Sequence, residues 1–231
     1  MTKGFIFDYG GTLDTGGQHW GKVLWHAYER QQVPVSEQQF REAYVYVERT
    51  LGRNPIIRPD FTFHDTLAAK LRLQLEFLQQ MILSPLTSHL SPLTSSLYAQ
   101  TVLHTSHSRD VLQRLTAPKV LVSNFYGNIG VVLGEFGFDG LFQAVIESAV
   151  IGVRKPDPRI FTLGVEALGQ KPEEVVVVGD SMEKDIIPAK AAGCQTVWLK
   201  GEGWTDTPVD ESIPDRIIFD LSELGLEVKS E

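Results

Sequence analysis

Four short apolar runs, each closing on polar residues, constrain this chain most. They are GFIFD (Gly4 to Asp8), KVLVSN (Lys119 to Asn124), VVVVGD (Val175 to Asp180) and QTVWLK (Gln195 to Lys200). None alternates polar with apolar, so each predicts a strand covered on both faces, as in a parallel sheet flanked by helices. AVIES (Ala144 to Ser148) and RIIFD (Arg216 to Asp220) are weaker strands of the same kind. Helical patterns fall between them. Arg109 to Leu115 precedes the second strand. Arg159 to Leu168 repeats Ile160, Phe161, Val165 and Leu168 at helical spacing behind Pro158. Asp185 to Ala192 stops at Gly193, a natural C-terminal cap. Strand and helix in alternation predict a doubly wound α/β core with a parallel, Rossmann-like sheet.

The rhythm breaks between about Gly17 and Thr105. That stretch has no buried strand pattern and three amphipathic helices, Trp20 to Gln31, Glu37 to Leu51 and His64 to Leu83. Pro85 and Pro92 then punctuate a Ser/Thr-rich connection. The expected organisation is a core of residues 1–16 and 106–231 with a helical insertion, 17–105, between the first two strands. Charge follows the same division. Gly16 to Thr105 holds 8 basic and 7 acidic residues, whereas the whole chain has a net charge of −8. That acidity argues against nucleic acid as a partner. No apolar run nears the roughly 20 residues of a membrane span. The single cysteine, Cys194, and an N-terminus unlike a signal peptide predict a cytoplasmic setting. Oligomeric state leaves no mark on the sequence.

Chemistry concentrates at the strand ends, where open parallel sheets bind ligands. Asp8 ends the first strand, and Gly10-Gly11-Thr12 follows. Ser123 and Asn124 end the second. Asp180 ends the third, and Asp185 opens the next helix. Consecutive glycines let backbone approach an anion. A lone strand-end aspartate is ordinary as a helix cap; four polar clusters at four strand ends of one sheet are not.

In this order the motifs resemble the haloacid dehalogenase superfamily of phosphatases and related hydrolases. They are FDYGGTLD (Phe7 to Asp14), the run ending in Ser123-Asn124, Lys155 in GVRKPDPRIF, and GDSMEKD (Gly179 to Asp185). The insertion resembles the helical cap of these enzymes. The resemblance implies that Asp8 is a nucleophile forming an aspartyl-phosphate, and that Mg²⁺ is held by Asp8, the Gly10 carbonyl, Asp180 and Asp185. It implies that Ser123 binds phosphate and that Lys155 neutralises charge between Asp8 and the phosphoryl group. Gly11 and Asn124 complete the expected substrate-binding set. The expected substrate is a small phosphate ester or acyl phosphate.

One departure matters. Phosphatases of this family carry a second aspartate two residues after the nucleophile, which protonates the leaving oxygen and activates water. Here that residue is Gly10. Asp14 resembles the acidic residue near the turn into the cap and is not assigned the role. Three readings compete: a hydrolase with another acid or a good leaving group; a phosphonate-cleaving relative using Lys22 or Lys70 of the cap to form an imine; and a non-catalytic binding or regulatory protein. A halide-displacing enzyme fits less well, because GDSMEKD resembles a metal site that reaction does not need. His19 and Trp20 are candidates to face the substrate. Arg41, Arg49, Arg53 and Arg58 are read as solvated helix faces, and His104 and His107 as surface residues.

Overall fold

The computed structural model describes residues 2–205 and 207–225. The six apolar runs form strands β1 (Gly4–Phe7), β2 (Lys119–Ser123), β3 (Ala144–Glu147), β4 (Val175–Gly179), β5 (Gln195–Leu199) and β6 (Arg216–Ile218). They make one parallel sheet in the order β3-β2-β1-β4-β5-β6. The two weaker runs are therefore its edges. Every residue of β2 and β4 is buried, which is why those segments tolerate no polar alternation. Successive side chains serve opposite faces. Ile6, Val120, Val122, Val175 and Val177 pack with Ile160 and Phe161 on one side. Phe7, Leu121, Val176 and Val178 belong to the larger core on the other.

Helices α1 (Trp20–Arg30), α2 (Glu37–Arg53), α3 (Phe63–Ile82) and α4 (Leu90–Arg114) join β1 to β2. Capping boxes start α2 at Ser36/Gln39 and α3 at Thr62/Asp65, satisfying backbone donors that a helix end leaves orphaned. Leu24, Tyr28, Phe40, Leu71 and Leu78 are fully buried and share the core cluster of Phe7 and Val178. The apolar faces of these helices thus continue the sheet's own core.

Two expectations change here. The Ser/Thr-rich stretch around Pro92 is helix, not a connection. Pro92 occupies the first turn of α4, where its missing N–H costs nothing. Moreover, α4 runs unbroken through residue 105 over 25 residues, about 37 Å. The expected boundary there falls inside a helix that reaches back to the sheet. Ser108 on it donates to the Leu13 carbonyl at 2.8 Å.

After β2 come α5 (Ile129–Glu135), α6 (Ser148–Ile151), α7 (Arg159–Leu168) and α8 (Ile187–Ala191). The helix expected from Asp185 begins instead as a π-helical turn, Met182–Ile186, feeding α8. Among the described residues no helix is long and apolar enough to cross a membrane.

Candidate active site

Sheet order reverses between β1 and β4, so the carboxyl ends of those strands open a crevice. In register, Phe7 faces Leu121 on one side and Val178 on the other. This brings Asp8, the end of β2 and the Gly179–Asp180 corner together. Asp8 and Asp185 are almost fully buried, at 5% and 1% exposure. One carboxylate oxygen from each of Asp8, Asp180 and Asp185 lies within 4.8 Å of the others, a grouping that can hold a metal ion.

Lys155 enters from the loop after α6. Its Nζ forms a short ion pair with Asp8 Oδ1 and another, at 2.7 Å, with Asp185 Oδ1. Asn124 fixes that loop: its Nδ2 donates to the Lys155 carbonyl at 3.0 Å, and its Oδ1 accepts from the Lys155 N–H at 2.9 Å. Both ends of the amide thereby bond to the Lys155 backbone. Thr12, which sequence reasoning passed over, ties the two strand ends. Its hydroxyl lies 3.3 Å from Asp8 Oδ2 and 3.2 Å from Asp180 Oδ1, and accepts from the Asp180 N–H.

Gly11 departs from expectation. Its N–H, read as facing an anion, is donated to Asp14 Oδ1 at 2.7 Å. With φ at +101°, an added Cβ would stand 2.4 Å from the Asp180 carboxylate, so this position requires glycine for close approach. The residue lets β1 and β4 meet and offers no donor to a ligand.

Electrostatics of the cluster favour added positive charge. Burial pushes the Asp8 carboxyl up to about 6, opposed by Lys155 and reinforced by Asp185. Burial, then Asp185 and Asp8, push Asp180 well above the carboxylate range. Lys155 is held firmly protonated: burial works against its charge, but Asp185 and Asp8 outweigh it. Three carboxylates sharing one lysine favour a proton or a metal ion among them, and hard oxygen donors suit a divalent cation.

A cavity of about 150 Å³ opens over this cluster. Asp8, Gly10, Ser123, Asn124, Lys155 and Asp180 line it from the core; His19, Trp20, Tyr44, Glu48, Phe63 and Lys70 line it from α1–α3 and the segment before them. His19 and Trp20 thus do face the cavity. His19 is kept neutral, down at about 4, mainly by burial and then by Lys184. Its Nδ1 accepts from the Gly21 N–H at 3.0 Å, which assigns the proton to Nε2. None of Arg41, Arg49, Arg53 and Arg58 lines this cavity. Lys22 lies near Glu202 at 3.6 Å, and His107 pairs with Asp220 at 3.0 Å.

The family model of haloacid dehalogenase-like hydrolases matches residues 2–193. The chain belongs to that family. Within it, the chain is similar to phosphoserine phosphatase of Thermus thermophilus, with 39% identity over 85 residues, 37% of this chain and 33% of that protein. It is similar to glyceraldehyde 3-phosphate phosphatase of Pyrococcus furiosus, with 38% identity over 87 residues, 37% of this chain and 36% of that one. These matches span about a third of either relative's length. L-2-haloacid dehalogenase from Xanthobacter autotrophicus shares the fold over 97% of both chains, at 20% identity and a TM-score of 0.59.

This haloacid dehalogenase-like chain also buries Asp14 at the end of its first motif. The carboxylate accepts from the Gly11 N–H and from Trp20 Nε1 at 2.8 Å. Burial nevertheless raises it from 3.8 to about 7. A folded-state value above the unfolded one gives stability that is full below about pH 4 and is lost as pH rises through about 7. At 1.36 kcal/mol per unit, the loss is about 4 kcal/mol. Urea unfolding of wild type and Asp14→Asn at pH 4.5 and 7.5 checks this. Wild type should lose stability relative to the variant across that interval; parallel changes would count against a buried, proton-holding Asp14.

Proposed function

We propose that this chain is a magnesium-dependent phosphatase that acts on a small phosphorylated molecule through a covalent aspartyl-phosphate at Asp8. The observation that carries this reading is the meeting of Asp8, Lys155, Asp180 and Asp185 beneath one cavity. The names of the two phosphatase relatives support a phosphate ester as the substrate class.

An Asp8 carboxylate oxygen attacks phosphorus, and the bond from phosphorus to the leaving oxygen breaks with its electron pair on that oxygen. Water then attacks the phosphorus of the aspartyl-phosphate, releasing inorganic phosphate and restoring Asp8. Lys155 offsets negative charge between Asp8 and the phosphoryl oxygens. Ser123 supplies a hydroxyl to the same oxygens, and Asn124 acts as a positioning residue by clasping the Lys155 backbone. Magnesium would be held by Asp8, the Gly10 carbonyl and Asp180, with Asp185 direct or through water, and when bound would offset the repulsion between Asp8 and a phosphate dianion. Residues 17–105 act as the cap and the remainder as the catalytic core, α4 spanning both.

The imine-forming alternative loses support from Lys70. It lines the cavity, but pairs with Glu48 at 2.7 Å, and that carboxylate drives its ammonium well above the usual lysine range despite burial. An imine needs the neutral amine.

A panel of phosphate esters assayed with and without Mg²⁺ tests the proposal, which expects turnover only with the ion. The metal assignment has its own check. Asp180→Asn should weaken Mg²⁺ binding more than about 10- to 100-fold, the range for residues merely supporting a ligand. Unchanged affinity by calorimetry would remove Asp180 from the site.

A further inference from the structure

The cavity contains a second charged group that the proposed chemistry does not use. Glu48 of α2, Lys70 of α3 and Tyr126 of the loop after β2 all line it. They meet there: Lys70 Nζ forms an ion pair with Glu48 Oε1 at 2.7 Å, Lys70 donates to Tyr126 Oη at 3.2 Å, and Tyr126 donates to Glu48 Oε2 at 2.9 Å. The Lys70 side chain is only 13% exposed. Desolvating an ion pair generally gains little over apolar packing, so its presence in a ligand cavity needs an explanation.

A lysine ammonium has three protons. One is donated to Tyr126; the Glu48 carboxylate lies 2.7 Å away as an ion pair without an aligned hydrogen bond, and among the described residues Lys70 Nζ has no further acceptor. It remains available to a ligand, with its charge already balanced by Glu48. A carboxylate approaching Lys70 would approach Glu48 almost as closely, and attraction and repulsion would largely cancel. It would also be desolvated among apolar walls. A neutral oxygen acceptor avoids both costs. The walls are Trp20, Tyr44, Phe63 and Phe125 with Leu24 and Leu67. Trp20 and Phe63 lie 5.7 Å apart between ring centroids. These flat rings and branched side chains suit a planar apolar ring beside the oxygen that Lys70 would hold.

We propose that Glu48, Lys70 and Tyr126 determine specificity by binding a hydroxyl or carbonyl oxygen on a single-ring aromatic leaving group. This rests on the phosphatase reading of the same site. Lys184, which also lines the cavity and makes no ion pair among the described residues, is the cation a carboxylate-bearing substrate would use instead.

The test compares kcat/KM for phenyl phosphate, the three isomeric hydroxyphenyl phosphates and phosphoglycolate. It uses wild type, Lys70→Met and the double variant Lys70→Met/Glu48→Gln, which leaves no unpaired carboxylate at the site. A charge-assisted hydrogen bond is worth about 1.5–3 kcal/mol. The best hydroxyphenyl isomer should therefore exceed phenyl phosphate by about 10- to 100-fold in wild type. In both variants that ratio should fall towards one. A purely structural role would lower both rates and leave the ratio intact. An intact ratio in the variants, a wild-type ratio of one, or preference for phosphoglycolate would overturn the proposal. If no phosphate is hydrolysed, NMR titration with free phenol and the three dihydroxybenzenes separates the two claims. A hydroxyl preference lost in the variants would keep the specificity assignment while ending the phosphatase reading. No preference would end both.

Discussion

Asp8→Asn is expected to reduce turnover of every phosphate ester to background, a loss on the order of 10⁴-fold or more, the scale on which removing a covalent nucleophile acts. The amide is nearly isosteric with the carboxylate: its oxygen can still accept from Lys155, its NH2 can donate to the Thr12 hydroxyl, which has Asp180 as its own acceptor, and Lys155 keeps its 2.7 Å pair with Asp185. The fold should therefore survive, and circular dichroism would verify it. The lost property is nucleophilicity, because an amide oxygen carries no full negative charge. A folded variant that retained wild-type rates would remove Asp8 from the chemistry.

The second large effect belongs to Gly10. General acid–base assistance is worth typically ~10²–10⁴-fold, and more for a basic leaving group. Native protein should therefore cleave aryl and acyl phosphates far faster than alkyl phosphates. Gly10→Asp should raise alkyl-phosphate turnover more than aryl-phosphate turnover. The structure has room for the change: a Cβ at residue 10 would meet only Trp20 Cδ1 at 3.9 Å, an ordinary contact, and the residue is outside the positive-φ set. Paired rates for both proteins across leaving groups measure the effect. Equal native rates on alkyl and aryl esters would mean that another residue already supplies the proton. Asp14, which also lines the cavity, is one buried acid that would then be a candidate, although its oxygens accept from Gly11 N–H and Trp20 Nε1.

The sheet was legible because burial on both faces leaves an unmistakable trace: Val175 to Val178 admits no polar residue. Asp8, Lys155, Asp180 and Asp185 were legible because each stands at a strand end or in a recognisable motif; the fold pairs Lys155 with Asp8 and Asp185 and brings carboxylate oxygens of the three aspartates within 4.8 Å of one another. What sequence could not give was direction. Asn124 carries a polar amide in the expected position, yet turns it onto the Lys155 backbone. Gly11 has the flexibility expected of an anion-binding turn, but its N–H is taken by a carboxylate three residues on. Glu48, Lys70 and Tyr126 meet only because α2, α3 and a core loop converge across separations of 22 to 78 residues. On its own helix Glu48 carries no signal, and Lys70 stands out only as a candidate imine-forming amine. The continuity of α4 was hidden by Pro92, which signals a break in mid-helix and none in a first turn.

The claim on which the account turns is that phosphorus becomes bonded to Asp8. Rapid acid quenching during turnover of an aryl phosphate, followed by peptide mass spectrometry, tests it most directly. The account predicts one phosphoryl group on the peptide containing Asp8, assigned to Asp8 by fragmentation and absent from Asp8→Asn. Steady turnover with no phosphorylated peptide, or a phosphoryl group on a different side chain, would contradict it.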